Sequence, residues 1–246
     1  MLKLTEHKNG LKMEGFRSLN TSPSINPFCQ KMKEIKTCIC SQCYGRYMET
    51  IYPRARASWI QNFKELTEEK TEALTDEMQV LADSINHKKG KRISGVRIHS
   101  VGELFNQNHI QNIFWFAFNI NVDIPVTIWT KRTDLLNQAA ANIKSMLKDK
   151  MINVIRSNPT INTYLNPSLE EDYILHTFNV YDDDQKMHAD MYHAHYYQGI
   201  KTFECHGSCK DCMVCYPKYQ EPMERLMIFE LSKKAQGKTG GRKKAI

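Results

Sequence analysis

The sequence lacks the features that would direct it to a membrane or to export. It has no apolar run long enough to span a bilayer, and residues 1–7 are polar where a signal peptide would lead into its apolar core. A Walker phosphate loop, a glycine-rich dinucleotide fingerprint and a Ser/His/Asp signature are also missing. We therefore expect a cytoplasmic protein without membrane contact, outside these nucleotide-binding and hydrolase classes.

Cysteine is absent from the long middle of the chain, between Cys43 and Cys205. The eight cysteines form two groups: Cys29, Cys38, Cys40 and Cys43 near one end, and Cys205, Cys209, Cys212 and Cys215 near the other. Thiols two or three residues apart rarely reach relaxed disulfide geometry, and a reducing compartment favours metal binding over disulfides. We therefore predict that the eight thiols are metal ligands.

The spacing of the second group indicates which metal they bind. Structural zinc usually joins two Cys-x2-Cys pairs across a longer spacer, whereas Cys209, Cys212 and Cys215 repeat without one. Several thiolates in one tight segment suit the corners of an iron–sulfur cube. We expect one or two [4Fe–4S] clusters, with zinc as the alternative. In the first group, three ligands would leave one iron open to a small molecule, and four would close the cluster.

Histidines near the second cysteine group offer another ligand set. If residues 191–197 form a strand, His193 and His195 lie on one face of it, with His188 and the carboxylate of Asp184 or Asp190 close by. We expect the simpler alternative, a polar surface segment that leads into the cysteines.

Apolar periodicity predicts an α/β fold. Hydrophobic residues make up 41% of the 246-residue chain, enough for a substantial core in one large or two small domains. After an extended lead-in over residues 1–28, a helical region begins near Pro53. Strands are predicted at 96–101, 126–130, 151–155 and 173–180, and helices at 109–120 and 134–148. Strand–helix alternation implies a parallel sheet.

Composition divides the chain into four segments. These are an N-terminal lead-in with the first cysteines (1–52), a βα core (53–204), a second cysteine cluster with a closing segment (205–231) and a basic tail (232–246). The net charge is +7, and six basic residues with no acid fall in the tail, so the rest is nearly neutral. We expect the tail to be disordered, with contact to nucleic acid as the alternative.

Polar residues follow the predicted strands and mark a binding edge. Glu103, Lys131 and Arg156 each come just after a strand. Because ligands of parallel α/β sheets bind at the carboxyl ends of the strands, we predict these three as cofactor-binding residues.

The order of several short motifs resembles a known family. These motifs are Phe16-Arg17-Ser18-Leu19-Asn20, Cys43-Tyr44, the stretch from Arg97 to Phe105, Trp129-Thr130-Lys131 and the Cys209–Cys215 repeat. In this order they resemble the bacteriophage family named gene product 88, which is found in phage and other mobile elements. The resemblance covers roughly residues 12–217 and implies no established activity.

A more distant similarity is to radical S-adenosylmethionine (SAM) enzymes. Those proteins place a three-cysteine [4Fe–4S] loop before a partial βα barrel and often carry further cluster cysteines at the end. The resemblance implies a partial parallel barrel, Cys29, Cys40 and Cys43 as ligands, and Glu103 as the contact to the methionine amino group. It leaves Cys38 as a spare or a fourth ligand. The usual Cys-x3-Cys-x2-Cys spacing is absent, since position 36 is Lys.

Two hypotheses of different classes follow. The first is a phage or mobile-element iron–sulfur protein that acts as a radical SAM-like enzyme on an unknown substrate. The second is a non-catalytic binding protein that acts on DNA or on a host protein and whose fold is stabilised by bound iron–sulfur clusters or zinc. The presence of Gly102-Glu103 favours the enzyme, and the irregular cysteine spacing favours the binding protein.

Overall fold

A computed structural model describes residues 1–7, 12–87, 93–149, 151–166, 172–219 and 224–232. Its strands are β1 (Leu4–Glu6), β2 (Phe16–Leu19), β3 (Gly95–Ile98), β4 (Val126–Thr130), β5 (Asn153–Ser157), β6 (Ile174–Tyr181), β7 (Lys201–Glu204) and β8 (Leu226–Leu231). Its helices are α1 (Pro27–Lys33), α2 (Tyr44–Ile51), α3 (Pro53–Glu68), α4 (Thr71–Asn86), α5 (Gln107–Phe118), α6 (Thr133–Asn137), α7 (Ala141–Lys148), α8 (Asp184–Gln198) and α9 (Cys209–Cys212), with a 3-10 turn at Ile39–Gln42. Of the basic tail, residues 233–246 lie outside the described residues.

The strands form one eight-stranded sheet in the order β1-β2-β3-β4-β5-β6-β8-β7. Strand β1 pairs antiparallel with β2, and the other neighbours pair parallel. The predicted α/β class and parallel sheet are therefore confirmed. Strands β1 and β7 form the two edges, so among the described strands the sheet is open and does not close into a barrel.

Helices cover one face of this sheet. From β2 to β6 the strands follow one another across the sheet in the order in which they occur in the sequence. Since the crossovers between parallel strands are right-handed, this order places the connecting helices on one face. The core on this face includes Leu66, Met78, Ile110, Leu136 and Ile143 from the helices and Val96, Ile128 and Val154 from the strands. Helix α8 continues this layer, since its Met187 packs with Tyr181 and Phe229 of β6 and β8.

The opposite face of the sheet is covered by the C-terminal cysteine segment. Ile155, Phe178 and Ile228 form a smaller buried cluster there. Val214 and Cys215 pack against it. The face opposite the main helical layer is thus where the second cysteine group meets the sheet.

Several elements differ from the sequence expectation, among them β3, which ends at Ile98 and not at residue 101. Strand β2 lies inside the segment that was expected to be an extended lead-in. Its sequence does not predict a strand, because the polar Arg17 and Ser18 interrupt the apolar pattern, although both residues are buried between β1 and β3. Strand β5 begins two residues late, so Arg156 lies within the strand and not after it. The helix expected over 134–148 splits into α6 and α7. Residues 191–197 lie in helix α8 and not in a strand.

Among the described residues, the longest helices are too short or too polar to cross a bilayer.

Candidate functional site

A cavity opens at the carboxyl ends of β2, β3 and β4, where the loops after these strands meet. Its empty space, including the open mouth, is about 350 Å³. It is lined by Pro23, Phe28, Cys29, Cys40, Cys43, Arg46, Gly102, Glu103 and Lys131. Three cysteines and two of the three predicted cofactor-binding residues therefore share one cavity.

Cys29 lies on α1, and Asn26 holds that helix in place. The side-chain oxygen of Asn26 accepts hydrogen bonds from the backbone N–H groups of Phe28 (3.0 Å) and Cys29 (3.4 Å), which caps the helix. Its Nδ2 donates to the backbone carbonyl oxygen of Glu103 at 2.9 Å. Cys29 is buried, and burial followed by the nearby Glu103 raises the pKa of its thiol.

The other three cysteines of the first group follow in a tight turn. The thiol of Cys38 accepts a hydrogen bond from the backbone N–H of Cys40 at 3.3 Å, and Cys43 lies at the N-terminus of α2. Cys38 is buried and forms an antiparallel bridge with Thr160. Hydrogen bonding between the two thiols lowers the pKa of Cys38 and raises that of Cys40. Cys38 does not line the cavity, unlike its three neighbours.

Glu103 is a buried carboxylate that is fixed on two sides. Its Oε1 accepts from the Thr130 hydroxyl (2.5 Å) and from the backbone N–H of Leu104 (3.0 Å). Its Oε2 accepts from the backbone N–H of Lys131 at 2.8 Å and lies 3.9 Å from the Lys131 ammonium. Burial tends to lower the pKa of Lys131, but Cys40, Glu103 and the other cavity thiols raise it overall. The cavity therefore holds an ordered carboxylate and a cation beside its thiols.

Gly102 explains how the loop after β3 reaches this position. It has a φ of +101°, and a Cβ there would lie 2.1 Å from the Thr21 hydroxyl oxygen and 2.5 Å from the Thr21 carbonyl oxygen. The chain also links these loops through a hydrogen bond from the backbone N–H of Thr21 to the Val101 carbonyl oxygen (3.2 Å). Only glycine permits this close contact without strain.

The structure separates some predicted residues from the cavity and adds others. Arg156 is the register partner of Thr130 and is half-buried, but it is not among the lining residues. Arg46 and Phe28 also line the cavity, and neither follows a predicted strand or belongs to a cysteine motif. Phe28 adjoins Cys29, but no spacing distinguishes Arg46 from the other arginines.

The segment of the second cysteine group from Val214 to Pro217 lies at the other ends of the strands, whereas Cys205 directly follows β7. Its backbone is held by side chains near the beginnings of three strands: Thr127 donates to the Cys215 carbonyl oxygen (2.8 Å), the His176 Nε2 to that of Val214 (3.1 Å), and Asn153 to that of Pro217 (3.1 Å). Because these strands are parallel, their first residues all lie at one end of the sheet, and the cavity lies at the other end, where the strands finish. The two cysteine groups are therefore two separate sites.

Positive charge adjoins the second group. Arg97 of β3 lies 3.9 Å from the ring centre of Trp129. Burial raises the pKa values of Cys209 and Cys215, and Arg97 opposes that rise at both thiols. The positive charge of Lys12 likewise opposes the rise in pKa at Cys205 and Cys209. Thiolates formed at this site would thus have counter-charges already in place.

Among the described residues, no three His, Cys, Asp or Glu side chains are close enough to hold a single metal ion. This includes the histidine set. In helix α8, residues two apart such as His193 and His195 point to different sides, so the strand on which the alternative ligand set depended is not formed. His188 instead lies 3.3 Å from Asp184, one helical turn away.

Comparison with known protein families identifies a family for this chain. A family model described as Gene product 88 matches residues 4–242, which is nearly the whole chain. A search of the curated proteins finds no match to this chain, and a search of the solved structures finds none either.

Proposed function

We propose that this chain, which belongs to the Gene product 88 family, is an iron–sulfur protein with a radical SAM-like site. In this proposal the thiolates of Cys29, Cys40 and Cys43 hold a [4Fe–4S] cluster in the cavity. We further propose that the protein comes from a phage or another mobile element. It would act in the host cytoplasm, on a substrate that is unknown.

The observation that carries it is the meeting of these three thiols with Glu103 and Lys131 in one cavity. The residues come from loops after three successive strands and are up to about a hundred positions apart in the sequence. Three thiolates, a fixed carboxylate and a cation form a donor set that suits a partly ligated cluster and a zwitterionic cosubstrate. Cys38 is not among the lining residues, and its thiol is hydrogen-bonded with that of Cys40, which is consistent with three cluster ligands and an open iron.

The absence of a mononuclear metal geometry is compatible with this assignment. Ligands of one zinc ion must converge on a single point, whereas the thiolates of a cube each bind a different iron. The spacing of the cysteines therefore remains the basis for preferring a cluster to zinc at the first group. The fold supports the same proposal, because successive parallel strands with helices on one face are the arrangement of a partial βα barrel.

The residues of the cavity have distinct tasks in this proposal. When bound, the cluster supplies an electron and an open iron for reductive cleavage of the SAM sulfonium bond. The Glu103 carboxylate accepts hydrogen bonds from the amino group of SAM and is held for that role by Thr130 and the backbone N–H of Lys131. Lys131 and Arg46 offset the negative charge of the thiolates. Phe28 and Pro23 restrict the access of water.

The second cysteine group forms a separate centre in this proposal. Four cysteines allow full ligation, so a [4Fe–4S] cluster there has no open iron, and zinc is the alternative metal. Arg97 and Lys12 serve as its counter-charges. Such a centre holds the C-terminal segment on the face of the sheet opposite the main helical layer.

The first test is the content of iron, acid-labile sulfide and zinc in anaerobically purified protein. We expect about eight irons and eight sulfides per chain, since each [4Fe–4S] cube holds four of each. In Cys29→Ala, Cys40→Ala and Cys43→Ala about half of the iron should be lost, and Cys38→Ala is the matched control that should keep it. Zinc without sulfide would refute the iron–sulfur proposal and favour the metal-stapled binding protein.

The second test addresses SAM. Adding it to the reduced protein should change the electron paramagnetic resonance signal of the first cluster. In Glu103→Gln this change should weaken or vanish while the iron content stays close to that of the wild type. A wild-type signal that ignores SAM would leave an iron–sulfur protein but remove the radical SAM-like activity.

A further inference from the structure

Helix α2 presents its apolar side to solvent. Tyr44, Tyr47, Met48 and Ile51 recur at helical spacing and form what we call the α2 face. Tyr47 is 63% exposed and Ile51 44% exposed. Tyr52, just beyond the helix, is 51% exposed. A surface helix normally buries such a stripe, so its exposure indicates an interaction surface.

The inward side of α2 explains this orientation. A Cβ at Gly45 would lie 2.5 Å from the Val101 side chain, so the helix packs closely there. The buried carboxylate of Glu49 accepts a hydrogen bond from the Ser22 hydroxyl. Because these contacts attach α2 through its small and polar side, its apolar side must point outward. The exposure of the α2 face therefore results from specific contacts.

The segment of the chain that contains α2 is rich in positive charge. Residues 27–58 contain six Lys and Arg residues against two acids, Glu34 and Glu49, and Glu49 is buried. Arg54 and Arg56 are exposed just after Tyr52. Since the body of the chain is nearly neutral, this is a local concentration of positive charge. An acidic surface complements it.

The α2 face also adjoins the cavity. Cys43, which lines the cavity, is the residue immediately before α2. Cys40 and Cys43 are only partly buried, so this side of the cavity is near solvent. A protein bound to the α2 face would come close to the thiolates proposed to hold the cluster.

We propose that the α2 face is the docking surface for a small acidic protein that carries one electron. This inference rests on the proposed function, because the cluster must receive its electron from outside the chain. One electron leaves the reduced carrier and enters the cluster, and no bond is made or broken in the transfer. The apolar residues supply contact area, while the surrounding cations orient an acidic partner.

Other occupants fit these features less well. A second copy bound through the same surface, or the basic C-terminal tail, would bring positive charge against positive charge. Nucleic acid would use the tyrosine rings, but Met48 and Ile51 have no aromatic face for bases to stack on. An apolar stripe with a basic border is better matched by an acidic protein with an apolar groove.

The binding test uses an acidic plant-type [2Fe–2S] ferredoxin, a carrier with a potential near −400 mV. Its affinity for the anaerobic full-length protein is measured by titration calorimetry. Tyr47→Ser combined with Ile51→Ser should weaken binding by about tenfold or more. The matched control combines Tyr192→Ser and Val80→Ser, two side chains exposed elsewhere (68% and 66%), and should change affinity by less than about twofold. No measurable binding by the wild type would overturn the proposal.

The charge of the surface is tested separately. Arg54→Gln with Arg56→Gln should slow association and reduce its salt dependence, because steering by charge acts mainly on the association rate. Lys144→Gln with Lys148→Gln removes two exposed cations of α7 and is the matched control. Equal effects of both pairs would contradict a specific site. If Arg54→Gln with Arg56→Gln lost binding to single-stranded DNA or anionic vesicles but kept its affinity for ferredoxin, the proposed partner would be wrong and the surface would bind nucleic acid or membrane.

A kinetic measurement separates this inference from the proposed function. Reduction of the cluster by dithionite should be equally fast in the wild type and in the α2-face variant, whereas reduction by ferredoxin should be slower in the variant. If the protein holds no cluster, the proposed function fails while the binding test still decides whether the α2 face docks the carrier. If dithionite and ferredoxin show the same ratio of rates in both proteins, the docking surface is refuted.

Discussion

The side chain of Asn26 donates to the backbone carbonyl oxygen of Glu103 at 2.9 Å. This hydrogen bond joins two loops that are 77 residues apart in the sequence. Because Asn26 also caps the helix that carries Cys29, it sets the position of the first thiol relative to the cavity carboxylate. The relationship leads to the first prediction.

We expect Asn26→Ala to lower both stability and iron occupancy. Loss of the helix cap and of one buried hydrogen bond should reduce the free energy of unfolding by about 2 kcal/mol. Asn106→Ala is the matched control, since Asn106 caps α5 and donates to the Thr67 carbonyl oxygen away from the cavity cysteines. Denaturant unfolding and iron analysis should show similar destabilisation in both variants but iron loss only in Asn26→Ala. Iron loss in both would mean that occupancy simply follows stability.

Gly102 should not tolerate a side chain. Gly102→Ala adds a Cβ that overlaps the backbone of Thr21 in addition to the strain of a positive φ, so we expect a loss of more than about 2 kcal/mol. Gly199→Ala is the control, because Gly199 has a φ of +63° but no atom within 4 Å of the added Cβ. It should lose only about 1 kcal/mol. Equal losses in urea unfolding would show that the contact with Thr21 is unimportant.

Arg97 should control the potential of the second centre. Replacing it with Met removes the positive charge near Cys209 and Cys215 and the contact with the Trp129 ring. We expect Arg97→Met to lower the midpoint potential of the second cluster, because a reduced cluster carries one more negative charge. Lys144→Met, on the exposed side of α7, should leave the potential unchanged. Spectroelectrochemistry measures both, and an unchanged potential in Arg97→Met would contradict the role of Arg97 as a counter-charge.

Stability should fall in mild acid, and His176 should contribute. The His176 ring is buried, its Nδ1 accepts from the backbone N–H of Leu226 at 3.1 Å, and burial lowers its pKa to about 4. The unfolded chain has an ordinary histidine pKa near 6.5 and therefore binds the proton first as the pH falls. The contribution of His176 to the free energy of unfolding is therefore fully present above pH 6.5 and is lost as the pH falls towards 4.

The measurement is the free energy of unfolding between pH 4 and 7. In His176→Gln the pH dependence within this window should decrease by nearly one proton relative to the wild type. His195→Gln, at an exposed position of α8, is the control and should leave the slope unchanged. An unchanged slope in His176→Gln would show that this imidazole titrates alike in the folded and unfolded states.

Regular, strongly apolar elements were predictable from the sequence. Strand β4 has the expected bounds, and α5 and β6 begin and end within two residues of the expectation. Strand β2 was missed because its burial comes from pairing with distant β3, and its polar Arg17 and Ser18 conceal that burial. The helical structure of residues 191–197 could not be predicted, because a short polar run has no periodicity to separate helix from strand.

The sequence by itself determined the chemical inventory: two cysteine groups, parallel strands joined by helices, and polar residues after the strands. Local spacing and periodicity are sufficient for these features because each depends on neighbouring residues. Tertiary structure alone decided which groups meet. Sheet order brings Cys29, Glu103 and Lys131 to one cavity and places Cys215 at the opposite edge. It also turned the apolar side of α2 outward, since that orientation depends on contacts with Ser22 and Val101 from other parts of the chain.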